Sequence, residues 1–479
     1  MGIKKNILYT IILTTSNYIF PLIVYPYVSR VLGVENIGLC NFIDSVINYF
    51  ILFSMMGITI IGTRQIAIEK SNDSGLGKTF SSLMTLNGLT TLIAIIALIP
   101  VTLCVPELYL NKEMMLYGGL KILSNYFLLE WFYKGLEDFK FITIRTIFVK
   151  ILYVISVFIF VKTRGDYKVY YLLTVLMISL NAIINTSYSR KFAKFKFKWI
   201  QLKSYVKSYL ILGLYFFLNS LFTTFNIVYL GFACNDTQVG YYTTATKLYS
   251  ILLALYTGVT TVLMPRMSNL LAQNKMDEFR NLLSKSISIL FTFSIPLIIF
   301  TTIFAPYIVY LISGPGYDGA ITPMRIIMPL MLLIGYEQVQ VVQCLMPLKK
   351  DRAVMLNAGA GALVGITLNL LIVPHLESIG SAITWIAAET TILILSQIIL
   401  TVNFKIRFPW KTFCKSLISN IPLTIILLLI YYFISPLGFW PTISLGFCAA
   451  ILSFVILQIW IFKNSTILSL LDGLKSRFA

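Results

Sequence analysis

Gly38 to Ile61 reads GLCNFIDSVINYFILFSMMGITII, 24 residues with a single charge, Asp44. At 1.5 Å per residue such a run crosses the roughly 30 Å of a bilayer's hydrocarbon as a helix. Asn41, Asp44, Ser45 and Asn48 recur three or four apart and so share one helix face. A charge at mid-bilayer costs about 2.5–3.5 kcal/mol on insertion scales, so this stripe must meet a cavity or a partner and not lipid. The stretch reads as a membrane span with a polar inner face.

Similar runs fill the chain on both sides of it. Of 479 residues, 58% are hydrophobic and 12% charged, with mean hydropathy +0.84, whereas soluble domains run near half apolar and a quarter charged. Spans are expected near 7–29, 38–61, 79–103, 113–133, 141–161, 169–189, 205–231, 239–264, 285–311, 321–346, 353–374, 379–402, 413–435 and 440–462. The fold is thus read as an all-α polytopic membrane protein of about fourteen helices, with the first run a span and not a cleaved leader.

Membrane sidedness explains most of the net charge of +19. With the N-terminus inside, the inner segments hold 28 Lys and Arg, seven of them between Arg190 and Lys207, while the outer loops hold only Arg30, Lys112, Lys162, Arg164, Lys168 and Arg325. Positive residues collect on the cytoplasmic side, so both termini are expected there, and the charge faces anionic lipid instead of nucleic acid. The six cysteines show no paired spacing and His375 is the one histidine. No metal site, no cofactor and no histidine-based enzyme chemistry is expected.

An ungapped offset of 202 residues superimposes the chain on itself, matching Lys5 to Lys207, Asn17 to Asn219, Gly38 to Gly240 and Arg64 to Arg266. Six spans separate the copies, which gives them the same orientation: two parallel six-helix lobes with a site at their interface, plus two C-terminal helices. The expected division is 1–200, 201–404 and 405–479.

Polar residues inside spans are the candidates for function. Asp44 and Lys247 fall one residue apart under the offset and read either as a static ion pair between lobes or as an anion-binding lysine with an exchangeable carboxylate. Asn17, Asn41, Asn48 and Asn219 line polar stripes. Arg145 and Lys150 on the fifth helix and Lys121 on the fourth either meet cargo or snorkel to the interface. Glu130 with Lys134 at i+4 reads as a structural pair. Glu337 and Glu389 read as proton sites or as buried structural acids.

Four segments carry a family resemblance: Tyr25 to Gly38 (YPYVSRVLGVENIG) with Gly62 to Ala67 (GTRQIA); Trp131 to Arg145 (WFYKGLEDFKFITIR); Gly240 to Lys247 (GYYTTATK), with Pro265-Arg266; and Asn369 to Pro374 (NLLIVP) with Ile379 to Glu389 (IGSAITWIAAE). Together they resemble the Wzx-type polysaccharide flippases, in the superfamily that also holds multidrug/toxin exporters and the lipid II flippase. His375-Leu-Glu-Ser378 departs from the family's glycine-containing turn.

The resemblance implies a MATE-like pair of lobes and a bacterial inner membrane. It also implies an undecaprenyl-pyrophosphate-linked oligosaccharide repeat unit as cargo, moved to the outer leaflet by alternating access beside polysaccharide polymerase machinery. Lys247, Arg30, Arg145 and Lys150 would then meet the pyrophosphate, and Asp44, Glu337 and Glu389 would serve ion or proton coupling. The alternative within the superfamily is a cation-coupled drug antiporter, which would keep acids as its main cavity ligands. A membrane-embedded glycosyltransferase would need a large outer loop, and no outer loop exceeds about a dozen residues.

Overall fold

The computed structural model describes residues 3–196 and 200–456, and the described residues are helical with short connections. In order they form α1 (Ile3–Met55), α2 (Ile58–Glu69), α3 (Asp73–Cys104), α4 (Pro106–Leu110), α5 (Lys112–Tyr126), α6 (Glu130–Gly135), α7 (Phe139–Phe160), α8 (Tyr167–Ser189), α9 (Lys203–Thr223) and α10 (Phe225–Ala233). There follow α11 (Asp236–Ala272), α12 (Met276–Ile303), α13 (Ala305–Ser313), α14 (Ile321–Ile327), α15 (Leu330–Gln338), a π-helical turn at Val339–Leu345, α16 (Asp351–Phe404), α17 (Trp410–Ser419), α18 (Ile421–Ile434) and α19 (Phe439–Val455).

Two of these helices hold two passes each. At 53 residues, α1 would run about 80 Å, more than twice the hydrocarbon thickness. It breaks at Gly33, whose φ of 78° suits a residue without a Cβ. α16, of 54 residues, breaks at Glu377 with φ 50°. Asn357 meets Ser396 at 3.0 Å, Gly361 packs on Ile392, and Gly380 lies against Val373. Each pair is centred on the same point of the chain, so α16 is an antiparallel hairpin closed over Glu377. The positive-φ turn expected to contain a glycine is made here by a non-glycine residue, Glu377.

Side-chain bonds fix the sense of the other passes. α7 bonds to the first half of α1 through Thr143 to Tyr9 O, Lys150 to Ser16 and Asn17, and Tyr27 to Val161 O, at separations of 134, 134, 133 and 134 residues. A constant separation means parallel helices. α5 and α8 are likewise parallel, with separations of 55 at Glu113–Lys168 and at Ser124–Ser179. Asp138 meets Tyr188 and Arg145 meets Asn181, 50 and 36 apart, so α7 and α8 are antiparallel. Odd and even passes alternate as a chain threading a membrane must.

By packing, the chain divides into two compact units, Met1–Gly240 and Tyr241–Ala479. α9 and α10 belong to the first because Tyr209 is fully buried there, bonding Ser54 O and Asn87. This is a partition by compactness, whereas the expected division at residue 200 is one by repeat. One contact speaks for the offset of 202. A Cβ on Gly38 would fall 1.7 Å from Asp236 O and one on Gly240 2.3 Å from Val34 O. Residues 34 and 38 plus 202 are 236 and 240, so the crossing is reciprocal, as between repeated elements.

In the first unit the core gathers Ile58, Ile61, Ile66, Phe80, Trp131, Phe132, Tyr133 and Tyr209. In the second it gathers Met267, Phe279, Phe291, Tyr336, Val339 and Leu400, and Phe408 and Phe413 dock the start of α17 upon it. Outer faces stay apolar: Ile144, Phe148, Ile151, Ile155 and Ile159 form an exposed stripe down α7, the pattern of a lipid-facing surface.

Candidate functional site

The polar interior of the first unit is built on α1, α5, α7 and α8. α7 turns its apolar stripe outward, which places Thr143, Arg145, Thr146 and Val149 inside. Arg145 is 5% exposed. Its Nη1 donates to Asn181 Oδ1 at 2.7 Å, its Nη2 lies 3.7 Å from Glu130 Oε1, and Phe141 lies 5.9 Å beneath the guanidinium. Nε and Nη2 have no hydrogen-bond partner in the protein. Glu130 also reaches Lys134 at 3.3 Å. The i,i+4 pair is present as expected, and Arg145 extends it.

Lys150 stands further along α7, donating to Asn17 Oδ1 at 2.5 Å and to Ser16 Oγ at 3.2 Å, with Phe20 5.6 Å away. The half-buried amine is tied to the first half of α1 by these two bonds. The cation beside Asp44 is Lys121, at 2.5 Å, and Asn48 donates to the other carboxylate oxygen at 3.3 Å. Asn41 donates to Ile37 O at 2.7 Å and Arg30 to Pro26 O at 2.6 Å, each within its own helix. The side chain of Asn219 lies outside the described residues.

The second unit holds Lys247, half-buried on α11 near buried Thr243 and Thr244. Glu389 is 5% exposed and accepts from Trp385 Nε1 at 3.1 Å. Glu337 ends α15 where the helix widens into its π turn, a distortion that recurs at functional sites. Both acids act electrostatically on Tyr249, whose ring meets Trp385 edge-on at 5.1 Å. The Tyr249 hydroxyl, Gln340 Oε1 and both amide atoms of Gln343 are buried without a hydrogen-bond partner in the protein. Gln397 braces this region, accepting from Tyr336 at 2.8 Å and Gln340 at 2.9 Å and donating to Ile406 O.

The second unit also carries an open groove of about 1040 Å³ lined almost wholly by apolar side chains, among them Leu252, Leu290, Phe293, Leu297, Phe447 and Phe454. Hydrophobicity of the single spans hides such a space, because lipid-facing and groove-facing leucines look alike in sequence. Lys121 and Asn181 were equally hidden as partners, lying 77 and 36 residues from the groups they bind.

The segment Trp131 to Arg145 that carries part of the resemblance is largely scaffold. Trp131, Phe132 and Tyr133 are at most 2% exposed, and a Cβ on Gly62 would fall 2.4 Å from the Trp131 ring. The two motifs are therefore the two halves of one packing contact. Arg145, at the end of the segment, is the member that bears charge into the interior.

Residues 3–271, more than half of the chain, match the polysaccharide biosynthesis protein family, and residues 211–371 match the MatE family. The chain is 27% identical over 403 residues to the "Putative O-antigen transporter" of Escherichia coli (strain K12), covering 81% of this chain and 94% of that protein. It is 28% identical over 278 residues to the protein of the same name from Shigella dysenteriae, covering 56% and 68%. Its fold is similar to that of the lipid II flippase MurJ in an inward closed conformation, with TM-score 0.78 at 15% identity over 96% of this chain and 99% of that one. An inward-facing multidrug resistance MATE transporter follows, with TM-score 0.65 at 14% identity over 79% and 92%. These likenesses bear out the all-α fold of two six-helix lobes with two further helices, and the chain belongs to the polysaccharide biosynthesis protein family.

Proposed function

We propose that the protein is a flippase that carries an undecaprenyl-pyrophosphate-linked oligosaccharide repeat unit from the cytoplasmic to the outer leaflet of the bacterial inner membrane, by alternating access. Nothing is chemically transformed. The observation that carries this reading is the buried Arg145, which keeps two donors without hydrogen-bond partners inside a membrane-spanning unit. Lys150 lies farther along the same helix, held by Asn17. A cation so placed suits a phosphoryl group, which offers several charged acceptors at once. The names of the curated relatives and of MurJ support the same class of cargo, and the apolar groove of the second unit has the chemistry of an isoprenoid tail.

Both termini are cytoplasmic in this proposal, by the distribution of Lys and Arg. Lys247, Arg30, Asn17, Asn41, Asn48 and Asn219 line the cargo path, and Glu337 and Glu389 are the coupling acids. Asp44, whose carboxylate holds Lys121, takes part in coupling only if that pair opens. The division 1–200, 201–404 and 405–479 is retained as the unit of repeat.

The reading is tested in proteoliposomes loaded with a fluorescent undecaprenyl-pyrophosphate glycan. Arg145→Gln and Lys150→Gln each lower the flipping rate at least about tenfold, the worth of one charge-assisted contact of about 1.5–3 kcal/mol. Flipping at the wild-type rate by the Arg145 variant overturns the site assignment. Export of cationic dyes with no flipping would favour the antiporter.

A further inference from the structure

Glu130 is placed to do more than anchor the turn before α7. Its two carboxylate oxygens face two cations, Oε1 toward Arg145 Nη2 at 3.7 Å and Oε2 toward Lys134 Nζ at 3.3 Å. The Arg145 contact is too long for a hydrogen bond, and the Arg145 Nε and Nη2 hydrogens stay without an acceptor although the residue is 95% buried by its 5% exposure. A guanidinium that served only as a structural tie would be closed by its carboxylate in a bidentate fork. Here the anion is close enough to neutralise and too far to bind fully. The Glu130 carboxylate is also the acidic group whose field reaches Lys150.

Mobility matches this arrangement. The Glu130 and Lys134 side chains keep 34% and 36% of their surface, whereas Arg145 keeps 3%. The carboxylate can therefore swing to water while the guanidinium cannot follow. Leu129, just before it, holds a left-handed φ of 48°, and Trp131 to Tyr133, just after it, are locked in the core. The backbone is thus packed on both sides of Glu130 while its carboxylate stays partly at the surface.

The geometry points to Glu130 as a built-in counter-ion that holds the cationic site of Arg145 and Lys134 in the empty protein and is displaced by the diphosphate of the cargo. This rests on the flippase reading and adds a positioning residue to it. An arriving diphosphate supplies the acceptors that Glu130 leaves unfilled, and the freed carboxylate moves out to solvent, where its charge is hydrated. Loading is thus an exchange of anions, so no bare buried cation is exposed at any stage.

The experiment uses the full chain in nanodiscs with geranylgeranyl diphosphate as probe and reads its Kd and the melting temperature with and without it. Glu130→Gln removes an internal competitor, so probe binding tightens about tenfold, within the usual range of coupling between two ligands of one site. The same variant melts lower when empty and gains more from the probe than wild type does. Glu130→Asp, with a shorter reach, tightens binding less than the glutamine variant. In an Arg145→Gln background the gain from Glu130→Gln disappears.

Unchanged or weaker binding by Glu130→Gln, with Arg145→Gln still reducing it, overturns the counter-ion role and leaves the flippase reading standing. Binding that ignores Arg145→Gln overturns both. Should the glutamine variant fail to fold, the aspartate variant decides alone: tighter binding than wild type supports the role and equal binding overturns it.

Discussion

The two units solve the problem of a polar interior in opposite ways. The first gives its charges local partners: Asp44 pairs with Lys121 at 2.5 Å and Glu130 with Lys134 and Arg145, while Lys150 donates to the neutral amide of Asn17. The second opens an apolar groove and holds Glu389 on Trp385, against which Tyr249 packs, with several amide and hydroxyl atoms lacking partners. A bilayer core penalises a single charge heavily and a neutral void hardly at all, so cations need local partners while an apolar space needs none. Under the proposed function this difference would place head-group chemistry in the first unit and tail chemistry in the second.

The sharpest way to break that division is to put a charge where the second unit has none. Leu297→Lys in the groove wall costs about 2.5–3.5 kcal/mol, which at RT of about 0.6 kcal/mol is on the order of a hundredfold. Flipping of a long-chain cargo falls by that much while diphosphate binding at Arg145 stays within twofold; equal loss of both would show that the units do not divide the labour. Filling the same groove without charge is milder. Ala450→Trp slows a C55 cargo about tenfold and leaves a C10 analogue unaffected, as the loss of a few buried methylenes at about 0.8 kcal/mol each requires.

A third variant tests the pairing rule of the first unit. Asp44→Asn leaves Lys121 without its anion in a place where the lysine side chain is 10% exposed. Because Asp44 is itself one-third exposed, the cost is about 2 kcal/mol, below the 3–5 kcal/mol of a fully buried pair. Lys121→Met in the same protein restores most of it, and denaturation of the two singles and the double gives the coupling directly.

The smallest effect is one of pH, at the reciprocal crossing of Gly38 and Gly240. Asp236, ahead of the α11 span, has its carboxyl pushed up to about 6 by burial and by the charge of Glu35. A raised acid binds a proton in the folded state at a pH where the unfolded chain has lost it, so it adds stability as pH falls from about 7 towards 4. Partial exposure and screening keep this under about 1 kcal/mol. Melting temperatures measured at pH 7.5 and 5 should differ by less in Asp236→Asn than in wild type, and an unchanged difference would remove Asp236 from the account.

Legibility in the sequence followed the range of the interaction. The span was readable from Gly38 to Met55 because apolar length and the three-to-four spacing of Asn41, Asp44 and Asn48 are local properties, but its expected run to Ile61 is broken at Met56, whose φ of 38° ends α1 before α2 starts at Ile58. Glu130 with Lys134 was readable for the same reason, and the structure holds them at 3.3 Å. Lys121 reads in the sequence as meeting cargo or snorkelling, and Lys247 as the cation for Asp44, because the true partners lie 77 residues apart and no periodicity reports which of several buried helices will be a neighbour. The departure at His375 to Ser378 shows the converse. The sequence marked a turn lacking glycine, but only the backbone shows Glu377 in the left-handed region to make it.

What the sequence determined by itself is the class of solution: all-α, many spans, and a family likeness carried by its packing motifs. Composition and period suffice for these because every backbone amide in a bilayer must be bonded within its own helix. What only the tertiary structure decided is which charges neutralise one another, that Arg145 keeps two donors without acceptors, and that one unit shapes an apolar groove of about 1040 Å³. Those outcomes depend on which helix faces meet, and faces meet by complementarity of shape and charge between segments far apart in the chain.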